Sequence, residues 1–205
     1  MIKLKIYLVR HGETEWNKLK KWQGHTDIEL SETGMDQVNN LADTIGDYSN
    51  ISVVYASPLA RAYKTAEILN EVLNKEIVVR EGLKEIRLGS WEGMDYETVI
   101  TNYPTDYNLW QTGAEGLDIS LNVESLPVLR ERAFLELEAL RKMNDSDFMI
   151  VGHGAWISSL LQKLTNKTNN GLWHIENAKI IEVHFSAETG QYYLITDLEC
   201  STWNI

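Results

Sequence analysis

The sequence predicts an α/β fold: a three-layer α/β/α sandwich whose mostly parallel central sheet carries helices on both faces and ends in a C-terminal β-hairpin at its edge. Three observations point that way. Short apolar, β-prone runs recur at Ile6-Tyr7-Leu8-Val9, Val53-Val54-Tyr55-Ala56 and Phe148-Met149-Ile150-Val151, and each ends in polar residues. Stretches with apolar residues at helical spacing lie between and after them. The end of the chain reads as two alternating strands around Ala187-Glu188-Thr189-Gly190.

Taken in order, the first run stops at Arg10-His11-Gly12. An open α/β sheet collects its ligands at the carboxyl ends of its strands, so Arg10 and His11 stand where chemistry is usually done. One histidine beside one arginine is more often a structural pair than a catalyst. Here the pattern repeats at Ser57-Pro58-Leu59-Ala60-Arg61 and at Gly152-His153-Gly154. Three parallel neighbours would bring Arg10, His11, Arg61 and His153 into one cationic crevice, suited to an anion.

Residues 16–27 are polar and glycine-punctuated, a loop over that sheet end, with Lys18, Lys20 and Lys21 read as solvated charge. Ser31 caps a helix with Met35, Val38, Ala42 and Ile45 on one face. A second helix opens at Ser57-Pro58, with Leu59, Ala62, Ala66, Leu69 and Leu73 toward the sheet. Arg61 in its first turn meets the unfavourable end of the helix dipole, and a bound phosphate would explain its placement. A short strand follows at residues 76–79, then Glu85, Arg87 and Glu92, the last two read as surface ion pairs.

Residues 94–129 carry Tyr96, Tyr103, Tyr107 and Trp110 but no Lys or Arg, and read as an irregular insertion, with residues 94–125 capping the active site. Leu126, Leu129, Ala133, Leu137 and Leu140 mark a helix opening at Ser125-Leu126-Pro127. Ile157, Leu160, Leu161 and Leu164 line the helix after the third apolar run. Residues 179–185 and 191–196 form the hairpin, in which His184 is structural, while His25 and His174 sit in loops without an assigned role.

Arg10-His11-Gly12-Glu13-Thr14, Ser57-Pro58-Leu59-Ala60-Arg61-Ala62 with Thr65-Ala66, Glu85 ahead of Gly89-Ser90-Trp91-Glu92-Gly93, and Val151-Gly152-His153-Gly154 together resemble the histidine phosphatase (phosphoglycerate mutase-like) superfamily. The motifs stand in the family's order and span nearly the whole chain. The resemblance implies His11 as a nucleophile that becomes phosphohistidine, Glu85 as proton donor and then base, and His153 adding positive charge if protonated. It implies a phosphate held by Arg10, Arg61, Asn17 and backbone near Gln23 and Gly24. The sequence departs from many relatives at Lys20-Lys21, near a customary arginine, and at Glu29, where proline is common.

A single domain over residues 1–205 is expected from the 43% hydrophobic content and from 3 prolines with no linker or repeat. Cys200 is the sole cysteine and fits a reducing compartment. Met1-Ile2-Lys3-Leu4-Lys5 leads straight into the first strand and no apolar run spans a bilayer, so a cytoplasmic location is expected. A net charge of −11 argues against nucleic-acid or anionic-membrane partners. The expected partner is a small phosphomonoester, with no cofactor and no metal.

Three classes compete. A metal centre could use His11, His153 and Glu85 as ligands, but Arg10 and Arg61 would repel a divalent cation. A non-catalytic phosphoester-binding module should lack His11 or Glu85, and both are present. Between hydrolysis and a mutase reaction on phosphoglycerate, the acids Asp95, Glu97, Asp106, Glu115, Asp118 and Glu124 of the cap would repel a second phosphate and favour hydrolysis. Lys20, Lys21 or Arg87 reaching the pocket would favour the mutase.

Overall fold

A computed structural model describes residues 3–48, 50–167 and 172–196. Its strands are β1 (Lys3–Arg10), β2 (Val53–Ala56), β3 (Glu76–Val79), β4 (Phe148–Gly152), β5 (Ile180–Ser186) and β6 (Gln191–Leu194). They form one sheet in the order β3-β2-β4-β1-β5-β6. The first four in that order run parallel, and β5 and β6 add an antiparallel pair at the edge. The α/β reading with an edge hairpin is therefore the observed architecture.

The layers follow from the strand period of two. Leu4, Ile6 and Leu8 of β1 with Phe148 and Ile150 of β4 belong to one core, while Tyr7 and Val9 with Met149 and Val151 belong to another. The first core is closed by α6 (Leu126–Met143), through Leu129, Ala133, Leu137 and Leu140, and by α7 (Gly154–Thr165), through Trp156, Ile157, Leu160 and Leu161. The second is closed by α2 (Glu32–Ala42), through Val38, and by α3 (Ala60–Leu73), through Ala62, Ala66, Leu69 and Leu73.

Local signals mostly landed where expected. Ser31 caps α2, accepting from Gly34 N at 3.0 Å. The helix expected from Ser57-Pro58 starts later, at Ala60: the Ser57 oxygen meets His153 Nε2 and Leu59 N and caps no amide of the helix itself. Residues 94–129 are not irregular: they hold α4 (Tyr96–Asn102) and α5 (Pro104–Thr112), capped by the Asp95 side chain and opened by Pro104. Weak amphipathicity hid these helices, because their apolar residues are aromatic and converge on each other. Trp110 lies 5.5 Å from Trp22 and 5.8 Å from Trp91 between ring centroids, and Tyr107 packs on the same group. A short helix, α1 (Glu15–Lys18), occupies the start of the expected loop. Cys200 lies outside the described residues. No described helix is long and apolar enough to cross a membrane.

Candidate active site

The site begins as a matter of register. Arg10 pairs with Gly152 and Ala56 with Val151, so the residues one step beyond each strand, His11, His153 and Ser57, come side by side. The ladder carries on past the strands: His11 N donates to Gly152 O at 3.0 Å and Ser57 N to Val151 O at 3.0 Å. Gly12 then has to be glycine, because a Cβ there would meet Gly34 O at 2.6 Å and the Val38 side chain at 2.8 Å. Close approach of α2 is thereby built into the turn that presents His11.

The His11 ring is 2% exposed, and its Nδ1 lies 2.6 Å from Gly12 O. A carbonyl only accepts, so Nδ1 carries the hydrogen and Nε2 keeps a lone pair. Burial, and after it the charges of Arg61 and Arg10, hold the His11 pKa well below 6.5. The ring is thus neutral, and burial contributes more to that than the arginines do.

Arg10 donates to Ile175 O, and Arg61 donates to Thr26 O at 3.0 Å and Gly24 O at 2.9 Å. Both guanidinium groups are buried, and burial pushes each pKa down to about 10, so both stay charged at neutral pH. Arg61 Nε has no hydrogen-bond partner among the described residues although it is buried. A buried charged donor in that state is costly unless an anion reaches it.

His153 packs edge to face on His11, with centroids 5.2 Å apart, and its Nε2 lies 2.8 Å from Ser57 Oγ. Burial, then Arg61, His11 and Arg10, keep its pKa well below 6.5. The ring is therefore neutral in the free protein, through burial first and the neighbouring arginines second, and the condition set on its charge is not met there.

Glu85 reaches the same cleft from the segment after β3. Its Oε1 accepts from Trp156 N at 3.0 Å and Ile86 N at 2.9 Å, and its Oε2 from Ala155 N at 3.1 Å. Two of these amides open α7, so the carboxylate sits on that helix's positive end. Oε1 is saturated and Oε2 has a lone pair left. Asn17 closes the opposite side, its Oδ1 accepting from Thr14 N at 3.1 Å in a capping box. Gly24 takes φ of +53°, and its carbonyl is one of the two that Arg61 grips.

A cavity of about 560 Å³ joins these groups. Arg10, His11, Asn17, Gln23, Gly24, Arg61 and Glu85 line it, whereas His153 lies behind His11 and off the wall. Lys20, Lys21, Trp22, Ile86, Leu88, Trp110 and Leu172 complete the wall away from these groups, and His174 lines it near Arg10, its pKa lowered by burial and then by the Arg10 charge.

Three readings of the sequence need correcting. Lys20 and Lys21 are exposed, as solvated charges are, but they also line the cavity. None of the acids Asp95, Glu97, Asp106, Glu115, Asp118 and Glu124 does. Asp95 and Asp118 cap local turns, Asp106 accepts from Asp118 N, and Glu124 pairs with Arg132 at 2.8 Å. Repulsion of a second phosphate by these acids is therefore not supported. Among the described residues Arg87 and Glu92 form no surface ion pairs: Arg87 donates to Asn122 O, and Glu92 binds backbone and Thr26.

Sequence reasoning missed Ser57 as the partner of His153, and Asn177, whose Nδ2 donates to His11 O at 3.0 Å. The second had a readable signal. An antiparallel strand beside β1 must begin at the carboxyl end of β1, so residues just ahead of β5 have to lie at the site.

Known proteins resemble this chain in sequence and in fold. Residues 6–197 match the family model described as histidine phosphatase superfamily, branch 1. A phosphoserine phosphatase mutant from Entamoeba histolytica, solved with phosphoserine, superposes with a TM-score of 0.79 at 32% identity, covering 94% of this chain and 95% of that one. The uncharacterized phosphatase PhoE of Bacillus subtilis is 37% identical over 164 residues, 78% of this chain and 77% of its own length. Phosphoglycerate mutase-like protein 4 of Arabidopsis thaliana is 34% identical over 160 residues, 77% of this chain and 70% of its length. The chain belongs to the histidine phosphatase superfamily.

Proposed function

We propose that this protein hydrolyses small phosphate monoesters through a phosphohistidine. The observation that carries the reading is His11, neutral, with Nδ1 locked on Gly12 O, beside two buried arginines on the wall of one cavity. Nε2 attacks phosphorus in line; the N–P bond forms as the P–O bond to the alcohol breaks. Arg10 and Arg61, with the Asn17 amide and backbone near Gln23 and Gly24, hold the non-bridging oxygens. Protonated Glu85 gives its proton to the leaving alkoxide from Oε2, the oxygen with a lone pair to spare. In the second step the Glu85 carboxylate takes a proton from water, whose oxygen attacks phosphorus and releases Nε2. His153, packed on His11, takes a proton once an anion is bound and so adds positive charge next to the nucleophile.

The same wall disfavours a metal mechanism. Two guanidinium groups face where a divalent cation would sit and would repel it. Residues 94–125 serve as a cap through Trp110, and the substrate's alcohol lies between that ring and Lys20 and Lys21. An alcohol bearing a carboxylate suits those lysines, as in the phosphoserine of the Entamoeba relative. The lysines also sustain a second reading, phosphoglycerate mutation, in line with the name of the Arabidopsis relative.

Rapid quenching with ³²P-labelled substrate should trap an acid-labile adduct, and His11→Ala should lower turnover on the order of 10⁴-fold or more. Near-normal turnover in that variant refutes the covalent route. Activity should survive a chelator. Interconversion of 2- and 3-phosphoglycerate with little phosphate release would replace hydrolysis by mutation.

A further inference from the structure

We infer that Glu92 is a positioning residue that ties the loop gripping the phosphate to the segment carrying the proton donor. Its carboxylate is a three-way clasp. Oε1 accepts from His25 N at 2.9 Å and Leu88 N at 3.3 Å, and Oε2 accepts from Thr26 Oγ1 at 2.5 Å. His25 and Thr26 follow Gly24 directly, and the carbonyls of Gly24 and Thr26 are the ones Arg61 grips. Leu88 lies on the segment that starts with Glu85. The two halves meet a second time where His25 Nε2 donates to Glu85 O at 2.8 Å.

Packing reinforces the clasp. A Cβ on Gly24 would lie 2.3 Å from Glu92 Oε1, so the loop's left-handed turn rests on the carboxylate itself. Glu92 does not line the cavity, so it acts only through these neighbours. Without it, the His25–Glu85 hydrogen bond would be what is left of these ties between the phosphate loop and Glu85, and their mutual distance would loosen. Misplacement by about 1 Å can cost on the order of 10²-fold in rate. The donor should suffer more than the phosphate grip, since proton transfer needs the shorter reach.

The inference rests on the proposed roles of Glu85 and the 23–26 loop, and the test separates the two. Glutamine can keep every contact: its Oε1 accepts both amides and its Nε2 donates to the Thr26 hydroxyl. Glu92→Gln should therefore stay within about 3-fold of wild type, while Glu92→Ala should lose ~30-fold in kcat on O-phosphoserine. On p-nitrophenyl phosphate, whose leaving group hardly needs a proton, the alanine variant should lose only about 5-fold. Thr26→Val, which removes a single contact, should fall between, and it carries the test if Glu92→Ala does not fold. Equal losses on both substrates, or a glutamine variant as poor as alanine, would overturn the inference. Amide hydrogen exchange in these variants reads the clasp without any turnover: residues 25–26 and 88 should exchange faster together in Glu92→Ala and not in Glu92→Gln. If wild type hydrolyses neither ester, the phosphatase reading fails, and the exchange pattern still decides whether the clasp exists.

Discussion

The two ends of the cavity are built differently. At the phosphate end, His11 is placed by β1 and backed by His153 from the end of β4, while Arg61 sits in the first turn of α3; these three side chains are buried. Their positions are set by backbone ladders and by helices packed on two cores. At the far end, Lys20, Lys21 and Leu172 come from loops and Trp110 from α5, and both lysines are exposed. The lesson is a division of labour. His11, His153 and Arg61 sit in or at the ends of packed elements, whereas Lys20 and Lys21 sit on an exposed loop, the kind of segment that tolerates change.

The largest effect that would sharpen this contrast is at the boundary between the two ends. Glu85→Gln keeps an acceptor for Trp156 N and Ile86 N, gives up the one for Ala155 N, and cannot give a proton. It should slow O-phosphoserine about 10² to 10⁴-fold and p-nitrophenyl phosphate far less. Steady-state kinetics on both esters measure this, and comparable losses would move the donor elsewhere.

The same division explains what could be read from the sequence. The strands were legible because apolar runs buried on both faces look alike, and the convergence of Arg10, His11, Arg61 and His153 followed from parallel order alone. Asn17, Glu85, Gln23 and Gly24 needed the family resemblance, since nothing in their spacing announces a cleft. The cap was misread at both levels. Its helices lack a clean apolar stripe, because Trp110 and Tyr107 pack on Trp22 and Trp91, distant in sequence. Its acids look like an electrostatic barrier, but Asp95 and Asp118 serve as caps and Glu124 pairs with Arg132. Charge can be counted from a sequence, but the direction a side chain faces is decided by its partners.

A second effect marks the buried end alone. His11 and His153 are both held neutral, with pKa values well below 6.5, chiefly by burial. In the unfolded chain each takes a proton near pH 6.5, so below that pH the unfolded state binds more protons and stability falls as pH falls. Each ring contributes up to about 1.4 kcal/mol per pH unit, from pH 6.5 down to its folded pKa. Denaturant unfolding between pH 7 and 5 should show this slope, and His153→Asn should remove roughly half of it. An unchanged slope in that variant would mean that the ring is solvated and the burial contrast is wrong.

The smallest effect tests the loop end. Neither Lys20 nor Lys21 has a carboxylate within ion-pair distance among the described residues. Lys21 lies over the Trp16 ring at 5.9 Å, and Lys20 holds φ of +54°, a conformation that asparagine tolerates better than most side chains. Lys20→Asn and Lys21→Gln therefore remove charge with little strain. Exposed ion pairs contribute about 0.2 to 1 kcal/mol, so each variant should raise KM for O-phosphoserine roughly 1.5 to 5-fold. KM for p-nitrophenyl phosphate, which has no second anion, should stay put, and kcat should hold for both because the lysines touch no reacting atom. Salt supplies the control. At 1 M ionic strength the Debye length falls to about 3 Å, so wild type should lose the same preference for phosphoserine that the variants lose at low salt. A preference that survives both substitutions and high salt would place recognition of the alcohol on the rigid elements after all, and the two ends of the cavity would no longer differ in kind.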